Sequence, residues 1–532
     1  MDSFHDNSVL VETSTGIVRG SHDGNTRRWL GIPYAADPVG DLRFRSPRPH
    51  PHWPGVRDAL TFGDIAPQVP TKVMPIPPGV EISESCLNLN VWAPRESDDS
   101  DSGYAPGSSP STIARPRPVM VWIHGGAYFV GFSAQRMYNA RALCEASDCL
   151  IVTINYRLGA LGFLDFSSFG DEHHVFDTNV GLRDIVAALE WVRDNIAAFG
   201  GNPSDITLFG ESAGGGCVTT LMTSPYATGL FHRAIAQSSP VTSVYGPERA
   251  TSMASMYLEL VGINPATAKT ELREKTAHDL AAPTLQLLNE VAHTAPGTVA
   301  FAPTIDGDIV PESPIEVFRA GGQMRIPLII GTNHDETSLF KLMKSPLMPM
   351  HESTVQAMFD QVLADKPELA HVEGDITRVY PDYPKQKGAM EISRDAGFRM
   401  PSIWAAEAHS RVAPTWMYRF DQAPPMLKLL GIGASHAAEL PYVFGTLPDK
   451  VRAVDIGFRF GGLRQAHEVS HRMQSHWALF AHTGNPASAQ LAWPPYDESA
   501  RATLIIDATD RVEDDPEGDV RAAWGDEPIG FD

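Results

Sequence analysis

The sequence predicts an α/β fold: a mostly parallel central sheet flanked by helices, in a single large domain with helical cap-like insertions. Three observations predict it. Short runs rich in β-branched and aromatic residues recur along the chain, and longer segments with helical apolar spacing separate them. One of the short runs also leads through a glycine-bracketed turn directly into an apolar helix. Strands that alternate with helices in this way pair in parallel and bury both faces.

The strand candidates are residues 119–123, 150–156, 206–209, 234–237, 326–330 and 415–420. Ahead of the third run, Leu182, Ile185, Val186, Leu189, Val192 and Ile196 repeat at helical spacing, a stripe that must face the sheet. Residues 95–118 are dominated by Ser, Asp, Gly and Pro and fall between two strand-like runs, 88–92 and 119–123. They read as a low-complexity surface loop inside the domain, not as a boundary. The segment 507–532 opens on an acidic stretch and reads as a frayed tail, with Trp524 able to tack it down. In sheets of this kind ligands gather at the carboxyl ends of the strands, which says where chemistry belongs.

Composition narrows the partners. The 532 residues carry a formal net charge of -22, and the isoelectric point is near 5.3. Nucleic acid and anionic membrane surfaces would repel such a chain. Four cysteines, Cys86, Cys144, Cys149 and Cys217, are too few and too scattered for a disulfide framework. The N-terminus has neither a basic nor an apolar region of a leader, and no apolar run approaches the roughly 18 residues of a spanning helix. The expectation is a cytoplasmic protein with reduced thiols, monomer or dimer.

The turn that follows the third run is Gly210-Glu211-Ser212-Ala213-Gly214, and the helix after it contains Val218, Leu221 and Met222. A G-x-S-x-G sequence between a strand and a helix is the setting of a nucleophile elbow, where glycines let the chain turn sharply beneath an exposed hydroxyl. A serine hydroxyl is a weak nucleophile until a base takes its proton, and the base needs an orienting acid. Amide donors must also face the charge that develops on the attacked oxygen. His124-Gly125-Gly126-Ala127, after the run 119–123, supplies a second small-residue loop of that type. The N–H groups of Gly126, Ala127 and Ala213 are the expected oxyanion donors, and Gly125 is expected in the substrate pocket. Among the other polar residues, His409, His471 and His476 sit in helical patterns and read as structural. Asp306 and Asp308 read as turn residues. His173-His174 beside Asp171 and Glu172 do not share a face, and no metal site is expected.

The run from Phe199 through Ile206 to Gly214 resembles the serine signature of the type-B carboxylesterase/cholinesterase family. The run from Glu84 through Cys86 to Trp92 resembles its second signature, with Ser85 where Asp is usual, and Asn155 to Gly159 and Thr483 to Pro486 also match. The similarity extends from Val11 to Pro495 and is strongest to bacterial para-nitrobenzyl-esterase-like members. It implies the α/β-hydrolase fold and a serine esterase working through a Ser-His-Glu triad on small carboxylic esters of short to medium acyl chain, without a cofactor. It also implies the two catalytic partners of Ser212. Gly331 to Glu336 fits the pattern that ends on the acid, giving Glu336 over its neighbour Asp335, and Gly433 to Gly445 fits the pattern around the histidine, giving His436. The order Ser, acid, His is the order of this fold. Glu211, next to the nucleophile, and Ser238, which resembles a family serine that hydrogen-bonds the acid, read either as supports of the triad or as satisfied polar residues of the fold.

Departures from the family pattern bear on the substrate. The position that would pair with Cys86 is Ala66, so Cys86 is implied to be a free thiol. No Trp lies in 69–82, and Leu339 stands where an aromatic would complete a choline site, though Phe340 remains. Gly297 and Val299 fall where acetyl-selective relatives carry phenylalanine, implying a roomier acyl pocket. Two competing readings stay open: the same triad acting on a carbamate, amide or thioester, and a non-catalytic cholinesterase-like binding module. The latter would be expected to have lost triad members, and none is missing here.

Overall fold

The computed structural model describes residues 8–71, 74–95, 115–369, 372–450, 455–489 and 492–530. Its centre is one sheet of thirteen strands: β1 (Ser8–Thr13), β2 (Gly16–Asp23), β3 (Thr26–Pro33), β4 (Val56–Asp58), β5 (Asn88–Pro94), β6 (Arg117–Ile123), β7 (Leu150–Ile154), β8 (Gly201–Glu211), β9 (Arg233–Gln237), β10 (Leu328–Asn333), β11 (Thr415–Phe420), β12 (Ala502–Ile506) and β13 (Arg511–Asp514). The spatial order is β1-β2-β3-β5-β7-β6-β8-β9-β10-β11-β12-β13, with β4 beside β2. From β7 to β12 every neighbouring pair is parallel, and antiparallel strands flank this block on both sides.

Both faces of the parallel block are buried, which is why its strands read as apolar runs with little alternation. The pleat still divides them. Val119, Val121 and Ile123 of β6 join one apolar cluster, whereas Met120 and Trp122 join the other. On the first face the helix Val180–Asn195 buries Leu182, Ile185, Leu189 and Val192, four members of the stripe seen in the sequence. On the second, the helix Leu463–Thr483 buries Ala466, Val469, Met473, Trp477 and Phe480. There the Trp122 ring sits 4.9 Å from Phe209 and 5.0 Å from Phe444.

Three expectations need adjustment. The run 326–330 enters the sheet only at Leu328, because Pro327 has no N–H to give the ladder. The run 150–156 leaves the ladder at Ile154, and Tyr156 beyond it reaches the His124 carbonyl. The expected tail 507–532 is largely built into the fold. It forms β13 and the helix Gly518–Trp524, and the Trp524 ring is buried beside Phe359 and Trp404. Its acidic residues have found arginines: Asp515 pairs with Arg521, and Glu517 with Arg394 and Arg399. Of the expected loop 95–118, residues 96–114 lie outside the described residues. Among the described residues no helix is long and apolar enough to cross a membrane.

Candidate active site

The elbow sits where β8 meets the helix Ala213–Leu221, with Ser212 between them at φ 57 and ψ -125. A non-glycine residue held at positive φ is strained, and the main chain enforces it here. The Ser212 N–H donates to the Gln237 carbonyl at 2.9 Å, and the Gly216 N–H donates to the Ser212 carbonyl at 2.8 Å. Space explains the second glycine of the motif, since a Cβ on Gly214 would lie 2.1 Å from the Ile123 carbonyl oxygen.

The second loop leaves β6 alongside the elbow. A Cβ on Gly125 would lie 3.0 Å from Ser212 Cβ, so the two turns are in contact. Gly126 has φ +119, and a Cβ there would meet the Val130 carbonyl oxygen at 1.7 Å. Only glycine fits that position. Two main-chain props hold the loop: Tyr156 Oη donates to the His124 carbonyl at 2.7 Å, and the Gly159 N–H donates to the Tyr128 carbonyl at 2.8 Å. The props are themselves anchored. Arg157, between Tyr156 and Gly159, grips Asp184 of the helix Val180–Asn195 through Nε at 2.7 Å and Nη2 at 2.6 Å. The N–H groups of Gly126, Ala127 and Ala213 have no hydrogen-bond acceptor among the described residues.

The remaining groups arrive on two distant loops that the fold joins. Asp335, just past the end of β10, forms an isolated bridge with Ser435, in the long loop that follows β11, so Glu336 and His436 are the next residue on each side. His436 Nδ1 lies 2.6 Å from Glu336 Oε2. The other oxygen of that carboxylate accepts from Ser238 Oγ at 2.6 Å and from the Asn333 N–H at 2.7 Å. Asp335 points elsewhere, accepting from the Ala434 N–H and pairing with His334. His436 Nε2 has no hydrogen-bond partner among the described residues. Glu211 Oε1 is 3.1 Å away, a charge contact in which neither atom is aligned for a hydrogen bond. Burial pushes the Glu211 carboxyl up to about 8 against the opposing pull of His436. Burial acts downward on His436, but Glu211 and Glu336 overcome it and lift the imidazole to about 9.

Ser212, Glu211 and His436 line one cavity of about 270 Å³, and so do Gly125, Gly126, Ala127, Ala213, Gly297, Val299, Leu339 and Phe340. Its wall is mostly apolar and includes five methionines, Met74, Met137, Met343, Met348 and Met358. Two features went unread in the sequence. Phe398 stands 4.7 Å from the His436 ring and Phe340 5.1 Å from it, the two phenyl rings stacked on each other at 6.2 Å. Glu439, three residues past His436, is buried and accepts from Gln237 and Asn333. The Glu that follows the histidine in the run Gly433 to Gly445 was the available signal for Glu439. For Phe398 there was none. His409 and His476 are tied to the main-chain carbonyls of Ile326 and Pro486.

A strained serine at a strand–helix elbow, an imidazole clasped by a buried carboxylate and a loop of free amides on a mostly parallel sheet are the parts of a hydrolase that works by acyl transfer. The chain belongs to the carboxylesterase family, whose model matches residues 7–524, and it is a carboxylic-ester hydrolase. It is 37% identical over 522 residues to para-nitrobenzyl esterase of Bacillus subtilis (strain 168), covering 96% of this chain and 97% of that protein. It is 33% identical to phenmedipham hydrolase of Pseudarthrobacter oxydans, over 93% of this chain and 94% of that one. A solved thermophilic PNB esterase superposes with a TM-score of 0.82 at 35% identity, covering 97% and 99% of the two chains.

Proposed function

We propose that the protein is a serine carboxylesterase in which Ser212 is the nucleophile, His436 the base and Glu336 the orienting acid, acting on small carboxylic esters. The observation that carries this reading is the Nδ1 contact of His436 with Glu336, which leaves Nε2 without a hydrogen-bond partner among the described residues, inside the cavity that Ser212 also lines. Nε2 takes the Ser212 proton as Oγ bonds to the ester carbonyl carbon. The resulting oxyanion accepts from the N–H groups of Gly126, Ala127 and Ala213. His436 returns the proton to the alkoxide, which leaves as the alcohol. Water, deprotonated by the same nitrogen, then hydrolyses the acyl-enzyme. The four buried, unpaired cysteines support a reduced, cytoplasmic setting.

An organophosphonate probe tests the nucleophile: stoichiometric attachment to Ser212, found by peptide mass spectrometry, is expected, and no labelling overturns the reading. Gly297 and Val299 leave room for the acyl group, so para-nitrophenyl butyrate and benzoate are expected to turn over within ~10-fold of acetate in kcat/KM. Turnover of acetate alone would refute the pocket assignment.

The Glu211 contact gives a signed pH prediction. His436 must be unprotonated to act as base, so activity falls as pH drops through its pKa. The Glu211 carboxylate raises that pKa. Glu211→Gln removes the lift and is expected to move the acid limb of kcat/KM to lower pH by about one unit. A limb that stays put, or moves up, excludes the electrostatic role.

A further inference from the structure

Phe398 does not stand on an ordinary helix. Residues Asp395–Arg399 form a π-helical turn between the helices Gln386–Arg394 and Met400–Ser410, a local widening that costs regular hydrogen bonds and needs outside support. The support is a cluster of two guanidinium and two carboxylate groups. Buried Asp395 accepts from Arg394 Nε at 2.6 Å and from Tyr380 Oη at 2.5 Å, and Arg399 Nη1 reaches it at 3.5 Å. Glu517, from the C-terminal segment, closes the cluster. Its carboxylate lies 2.9 Å from Arg394 Nη2 and 3.3 Å from Arg399 Nε, and Arg399 Nη2 also donates to the Pro516 carbonyl at 2.8 Å. Trp524 Nε1 donates to Tyr380 Oη at 2.8 Å, tying the same segment to Asp395 by a second route.

Without Glu517 two buried arginines would share one carboxylate, and the turn they grip would have to shift to recover solvation. That turn presents Phe398 to the His436 ring at 4.7 Å, while Arg394 Nη1 donates to the His334 carbonyl at 3.4 Å, two residues ahead of Glu336. We infer that Glu517 is a positioning residue for His436: by neutralising the Arg394–Arg399 pair it fixes the π-helical turn whose Phe398 ring packs against the imidazole. The inference rests on His436 being the base proposed above. The C-terminal segment thereby becomes a strut of the active site, acting through one aromatic ring.

The test is a double-mutant cycle with Glu517→Gln and Phe398→Leu, read as kcat and KM on a para-nitrophenyl ester beside wild type and Ser212→Ala. Glu517→Gln is expected to lower kcat by ~5- to 20-fold with KM within ~2-fold, since misplacing a catalytic group by a fraction of an ångström costs rate more than binding. Phe398→Leu is expected to cost ~10-fold, and the double variant no more than Phe398→Leu alone, because coupled residues are not additive. Unchanged kcat in folded Glu517→Gln, or effects that multiply, overturns the inference. Should Glu517→Gln not fold, Trp524→Phe removes the hydrogen bond to Tyr380 together with part of the buried ring packing on Phe359 and Trp404, and the same non-additivity with Phe398→Leu is expected of it; full activity there also overturns the inference. Failure of the catalytic reading is distinguishable, because Ser212→Ala or His436→Gln would then retain wild-type turnover.

Discussion

Ser212→Ala is expected to lower kcat by on the order of 10^4-fold or more, with the fold intact. The change removes one oxygen. The main-chain bonds that hold the elbow, from the Ser212 N–H to Gln237 and from the Gly216 N–H to Ser212, do not involve the side chain and persist. Alanine at φ 57 is as strained as serine, so the stability cost is expected within ~1 kcal/mol. What disappears is the covalent route, since no acyl-enzyme can form. The residual rate then reflects binding and the amide donors alone. A pre-steady-state burst with para-nitrophenyl acetate in wild type, and its absence in the variant, checks the step directly. A variant that keeps even a tenth of wild-type kcat would move the nucleophile elsewhere.

Asp184→Asn is expected to lose about 3 to 5 kcal/mol of folding stability, because it strands a buried guanidinium. Side-chain exposure is 3% for Arg157 and 0% for Asp184, and the carboxylate meets both Nε and Nη2. Urea unfolding of the variant should show an earlier midpoint at unchanged slope. Asp375→Asn is the control: it breaks an ion pair whose side chains are 75% and 51% exposed, and is expected to cost under ~0.5 kcal/mol. The loss at Asp184 should also reach the chemistry. Arg157 sits between Tyr156 and Gly159, the two props of the loop His124 to Tyr128, so kcat is expected to fall even at temperatures where the variant is folded. Full kcat in the folded variant would separate the anchor from the amide loop.

Sequence and structure agree best where one residue type is demanded by local geometry. Gly126 and Gly214 have no alternative at their positions, and such constraints leave short readable motifs. Glu336 and His436 are different. They lie 100 residues apart and meet through a bridge between the tip of β10 and the loop that follows β11, which no periodicity announces. They could be placed only because the surrounding motifs resemble those of a known family. Phe398 was illegible for the same reason, with nothing local to mark it. The acidic C-terminal segment was misread because composition registers charge without its partners. Nothing near Glu517 in the sequence marks Arg394, its partner 123 residues upstream.

The methionine lining has a consequence for how the cavity discriminates. An unbranched thioether adopts many rotamers of similar energy, so Met74, Met137, Met343, Met348 and Met358 can reshape around different acyl and alcohol groups. Every guest then restricts motions that the empty wall enjoys, and that lost freedom offsets part of the contact energy. Such a surface grips many shapes loosely. Selectivity among esters would accordingly fall to the rigid end of the chamber, where the glycine loop and the elbow hold the scissile carbonyl, and hardly at all to the soft end that surrounds the rest of the molecule.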